Sequence, residues 1–117
     1  MYSKIIRSKI LYLSIMLTIF TTIVYSELFP IIQNGKHAYI NKSGNIVISP
    51  QFDDAQEFSE GLAPVMIGNI VDGKWGFIDE KGDYVINPQF DNCLPFCEGL
   101  APVKKDGMWG FIDKTGE

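Results

Sequence analysis

The side chains in this sequence whose chemistry reaches beyond packing are two cysteines, one histidine and a set of carboxylates borne on turns. His37 is the only imidazole, so any Ser-His-Asp or Cys-His constellation would have to be built around it. It stands at a place that later copies of an internal repeat fill with Trp75 and Trp109, which reads as a substituted packing position. Cys93 and Cys97 lie four residues apart, a separation that suits a local disulfide in an oxidising space if the segment is loosely wound. They also replace Ala55 and Ser59 of the preceding copy, which reads as small residues buried in a tight connection. A metal site would need two more ligands, and there is no third cysteine. Asp79, Asp83 and Asp113 offer oxygen to calcium, but their spacing is not that of a dedicated loop, and short polar side chains belong in turns on conformational grounds. Glu60 and Glu98 would be the carboxylate pair of a hydrolase. They occupy the same place in successive copies, so a turn or cap role is the simpler reading. The expectation is a protein with no catalytic residue, no metal and no cofactor.

The elements that hold these residues come from a repeat. Residues 35–65 align with 73–103 without a gap, and 17 of the 31 positions are identical. A further partial copy opens at Gly107 with Trp109-Gly110-Phe111-Ile112-Asp113. The units are 35–72, 73–106 and 107–117, and the second is offset by four extra residues in the Met66–Val71 connection. Such a period marks a repeat array in which each unit buries its apolar face against a neighbour.

Within a unit the pattern is of short strands and tight turns. Asp72-Gly73 and Asp106-Gly107 carry hairpin-tip chemistry, since glycine takes positive φ without a Cβ clash. The run Lys74–Asp79 places Trp75 and Phe77 on one strand face, with Gly76 and Ile78 on the other. Pro50 and Pro88 are expected to stop their strands, and Phe52–Phe58 and Phe90–Phe96 to form a helical turn or compact loop. The fold class is therefore all-β, a repeat array of short antiparallel strands and hairpins arranged as a meander, solenoid-like or propeller-like.

In its Lys74-Trp75-Gly76-Phe77-Ile78-Asp79 run, the Lys-Gly turn after it, Pro88-Gln89-Phe90-Asp91 and Glu98-Gly99-Leu100-Ala101, the chain resembles the WG (Trp-Gly, KWG-type) repeat family. The likeness spans residues 35–117 and implies an all-β array, common in exported or envelope proteins, without a shared catalytic activity. Its structural motif residues here are Trp75, Gly76, Phe77, Trp109, Gly110 and Phe111. Two departures stand out: His37-Ala38 replaces Trp-Gly in the first unit, which suits an altered capping repeat, and the last unit stops early, which suits a fragment of a longer array.

Ahead of the array, Lys4, Arg7 and Lys9 lead into an apolar run from Ile10 to Tyr25, the layout of a secretory signal-peptide helix over residues 1–26, cleaved after Ser26. An uncleaved anchor is the other reading, and the only one that brings in a membrane. Residues 27–34 read as a linker. Removing residues 1–26 leaves seven basic against fourteen acidic residues, a formal charge of −7, which argues against a nucleic-acid partner. The expected setting is secreted, periplasmic or cell-surface, and the expected partner an unidentified protein or envelope component. The ring stripe of Trp75 and Trp109 is either core, packed on the next unit, or an exposed platform for sugars or extended peptides.

Overall fold

The computed structural model describes residues 27–117. The expected signal segment, 1–26, lies outside the described residues. All regular structure among them is β: β1 (Phe29–Gln33), β2 (Lys36–Ile40), β3 (Ile46–Phe52), β4 (Asp54–Ala55), β5 (Ala63–Ile67), β6 (Lys74–Ile78), β7 (Tyr84–Phe90), β8 (Asn92–Cys93), β9 (Ala101–Lys105) and β10 (Met108–Ile112). They form three antiparallel sheets of order β1-β2-β3, β4-β5-β6-β7 and β10-β9-β8. The segment 27–34, expected as a linker, supplies β1, and its Pro30 pairs with Tyr39 much as Pro64 pairs with Phe77.

The chain changes sheet at Asp53 and again at Asp91, so the sheets are displaced from the copies seen by self-alignment. Each complete meander is a short strand, a hairpin, and a return strand. Alternation along the strands gives every sheet two apolar faces. Tyr39, Ile48 and Phe52 on the back of the first sheet pack with Ala63, Val65 and Ile78 on the front of the second. Trp75, Phe77, Ile86 and Phe90 on the back of the second pack with Cys93, Ala101, Val103 and Ile112 on the front of the third. The period-two reading of Lys74–Asp79 therefore holds, since Phe77 and Ile78 of one strand enter different cores. Successive meanders thus stack face to face, each core shared by two neighbouring sheets.

Two local expectations change. Asp106-Gly107 is a hairpin tip with both φ positive, at 50° and 79°, and so is Asn34-Gly35 at 53° and 77°. Asp72-Gly73 is not a tip: the four inserted residues make a wider loop over 68–73, in which Gly73 N–H donates to the Asn69 carbonyl and Asn69 Oδ1 accepts from Val71 and Asp72 N–H. Pro50 and Pro88 do not end their strands. Each sits in a bulge, because Trp75 pairs with Phe90 while Phe77 pairs with Ile86, two residues against four. An outer strand with a bulge tolerates the missing N–H. The segments after Phe52 and Phe90 are compact loops, closed by two-residue turns at Glu60-Gly61 and Glu98-Gly99, where Ser59 bridges Leu62 and Cys97 bridges Leu100.

Candidate functional site

The Trp-Gly strand is shaped by what lies across it. The bulge of β7 folds over β6, so a Cβ on Gly76 would stand 2.6 Å from the Ile86 carbonyl oxygen and 2.7 Å from Pro88 N. A side chain at that place would push the return strand away, so glycine sits between two large rings. On the other face Trp75 is 8% exposed and Phe77 is fully buried, its ring meeting Phe96 edge-on at 4.9 Å. The first sheet repeats the pair with Tyr39 and Phe58, also at 4.9 Å. The Tyr39 hydroxyl donates to the Gln56 carbonyl at 2.7 Å, and burial followed by the neighbouring Asp54 carboxylate raises its pKa.

Asp53 and Asp91, at the two sheet changes, clamp successive sheets. The ammonium of Lys74 and then the Gly107 N–H hold the Asp91 carboxyl below its ordinary range, and Lys36 with Gly68 N–H does the same for Asp53. A second ladder runs along the compact loops. Gln56 Nε2 donates to the Cys93 carbonyl at 3.3 Å, Ser59 Oγ to the Phe96 carbonyl at 2.6 Å, and Gly99 N–H to the Glu60 carboxylate at 3.1 Å. The separations of 37 to 39 residues are one repeat period, so these are unit-to-unit bonds.

Residues considered for chemistry fall into this framework. Glu60 is spent on the Gly99 N–H, with Lys114 at 3.9 Å. Asp79 Oδ1 accepts from Lys81 and Asp83 N–H, and Asp113 Oδ1 from Thr115 and Glu117 N–H, so these acids close turns. Asn41 does the same for Ser43 and Asn45. Among the described residues no three His, Cys, Asp or Glu side chains converge as metal ligands. His37 is partly buried opposite Phe52, as Trp75 is opposite Phe90; its Nε2 lies 3.7 Å from Asp54 and its Nδ1 is buried without a partner. Cys93 is buried at the place of Ala55, where burial pushes its thiol up to about 12, while Cys97 is exposed; both are free thiols.

The ring stripe itself divides. Trp75 and Phe77 are core, yet Trp109 is 52% and Phe111 71% exposed in β10, alongside the exposed Met108. A cavity of about 360 Å³ opens at the edge of the stack, lined by Asp54, Met66, Ile70, Lys74, Trp75 and Asn92 among others. The clamps and the loop ladder escaped the sequence reading, although Lys36 with Lys74, Asp53 with Asp91 and Glu60 with Glu98 all stood in it as self-aligned identities.

Stacked antiparallel meanders, the second of them with a Trp-Gly strand roofed by a bulged return strand, define a β-repeat array. The sequence profile described as "WG containing repeat" matches residues 38–69 and 75–109, more than half of the chain. The chain belongs to that family. No curated protein and no solved structure matches it.

Proposed function

We propose that this protein is an exported, non-catalytic interaction module that uses the ring-bearing face of its last sheet to hold another protein. The observation that carries this reading is the contrast between β6 and β10. The same Trp-Gly-Phe-Ile run is covered in one and, among the described residues, presents Trp109 and Phe111 to solvent in the other. Contiguous exposed rings of this kind mark surfaces that acquire a partner. The commitment of Glu60, Asp79 and Asp113 to backbone donors supports a non-catalytic role. Export rests on the basic and apolar layout of residues 1–26.

The test is capture of protein from an envelope extract by the wild-type chain and by Trp109→Ser/Phe111→Ser. Loss of capture in the double variant is expected; equal capture contradicts the reading. Half-exposed Trp109 also fits stacking on sugar rings, so a saccharide-induced change in its emission, without protein capture, would transfer the same face to a carbohydrate-binding module. Export is checked on chain recovered outside the cytoplasm. Glu27 is the expected first residue, and an intact Met1 contradicts cleavage.

A further inference from the structure

We propose that the cavity at the edge of the stack receives one arginine side chain of a partner protein, its stem laid along the inserted 68–73 loop and its guanidinium on Asp54. The site shares no residue with the ring face of β10 and goes beyond that reading. Its lining runs from Asp54 to Asn92, and its volume of about 360 Å³ is at the small end of the range for ligand sites, about 300–1,000 Å³. A single side chain suits that space better than a large cofactor.

The apolar wall exists because of the four inserted residues. The tips at Asn34-Gly35 and Asp106-Gly107 are two residues long and polar, whereas the 68–73 loop carries Ile70 and Val71 at 97% and 91% exposure. Adjacent aliphatic side chains left almost wholly in water mark a contact surface. The backbone holds them there. Asn69 Oδ1 caps Val71 N–H, Asp53 accepts from Gly68 N–H at 2.8 Å, and the neck is so narrow that a Cβ on Gly68 would stand 2.8 Å from Gly73 Cα. Together with Met66 and Trp75 in the same lining, this wall gives a long aliphatic stem apolar surface to lie on. Ile70 and Val71 stand too far into solvent to be covered by a free amino acid, so the occupant arrives on a larger surface.

Charge selects the head group. The ionisable side chains of the lining are Asp54, Lys74 and Asp91, two carboxylates against one ammonium. Lys74 and Asp91 satisfy each other at 2.5 Å, which leaves Asp54 uncompensated. Asp54 Oδ1 accepts from Ala55 N–H at 2.8 Å and has His37 Nε2 at 3.7 Å, beyond hydrogen-bond reach, while Oδ2 meets no donor among the described residues. Asp106 and Asp72 are near enough to act on Lys74, so the surroundings repel anions. A guanidinium fits both sides of such a site, because its planar fork pairs with carboxylate oxygens and its weak hydration lets it approach apolar and indole surface.

The test follows backbone amide shifts by NMR in the full chain as a blocked Gly-Gly-Arg-Gly-Gly peptide is titrated in. Saturable shifts confined to residues 54–55, 68–75 and 91–92 are expected. The peptide with citrulline, the neutral isostere of arginine, should bind about threefold or more weakly, and so should the arginine peptide to Asp54→Asn. Deleting residues 68–71 leaves Asp72-Gly73 as a two-residue tip of the Asp106-Gly107 kind, and should abolish saturation in a chain that still melts cooperatively. Ile70→Ser changes a side chain in open water, so it covers the case in which the deletion does not fold, and it too should weaken the peptide. No saturable shift at these amides, or equal affinity for arginine and citrulline, overturns the receptor. Free L-arginine binding more tightly than the blocked peptide overturns a protein side chain as the occupant. None of these measurements involves Trp109 or Phe111, so the ring face of β10 stands or falls separately.

Discussion

β6 and β10 carry the same Trp-Gly-Phe-Ile run and pair with the preceding strand in the same register, yet Phe77 is fully buried and Phe111 is 71% exposed. The difference lies in the neighbours. β6 has a return strand beside it and a third sheet behind it, and β10 has neither among the described residues. Burial in a repeat array is a property of the junction between units, and an identical sequence is core or surface according to what is stacked on it.

The sharpest way to break this comparison is to cut the same ring from both strands. Phe77→Ala removes a side chain packed on Phe96 inside a closed core and should cost about 3–5 kcal/mol, enough to unfold a small array. Phe111→Ala should stay within about 0.5 kcal/mol of wild type in the same denaturant titration. Comparable losses would mean that the third sheet's back is also packed.

A smaller contrast is expected at the glycines. Gly76→Ala forces the β7 bulge outward and should cost about 1–3 kcal/mol, whereas Gly110→Ala should change stability by under about 0.5 kcal/mol. The first unit carries Ala38, fully buried, at the equivalent place under its own bulge. Equal effects at Gly76 and Gly110 would remove the steric reason given for the Trp-Gly pair.

Smaller again is the effect of the clamp. The folded state holds the Asp91 carboxyl below its ordinary value, so the unfolded chain binds more protons as the solution is acidified. That contribution is complete above the ordinary carboxylate value of about 4 and is lost as pH falls through the depressed folded value. Asp91→Asn should therefore lower stability modestly at neutral pH and flatten the acid limb of a melting-temperature profile. An unchanged acid limb would show that Lys74 and Gly107 do not hold the carboxylate.

The smallest effect on stability is expected at the cysteines. Iodoacetamide at mildly alkaline pH should modify exposed Cys97 without shifting the melting temperature, while Cys93, its thiol pushed up to about 12 by burial, reacts only on unfolding. Two unreactive sulfurs in the native chain that become reactive after reduction would indicate a disulfide instead.

Much of the fold was legible in the sequence because alternation and glycine placement are local. Lys74–Asp79 announced which rings share a face, and Asp106-Gly107 announced its turn. Asp72-Gly73 misled for the opposite reason: turn type depends on loop length, and four inserted residues turned a hairpin tip into the end of a wider loop anchored on Asn69. Pro88 misled because its place in a bulge is set by the strand opposite. The clamps between sheets and the division of the aromatic stripe are long-range facts, decided by which sheet stacks on which. Self-alignment exposes the residues involved, such as Asp53 with Asp91, but not the partner each one meets.

The central claim is that the indole of one strand is sealed by the next sheet while its copy lies open. Acrylamide quenching of two single-tryptophan chains, Trp109→Phe and Trp75→Phe, tests it directly. The chain retaining Trp75 should emit at shorter wavelength and resist quenching until it is unfolded, and the chain retaining Trp109 should emit to the red and be quenched readily in its native state. Equal, ready quenching of both would contradict the stacked-sheet account.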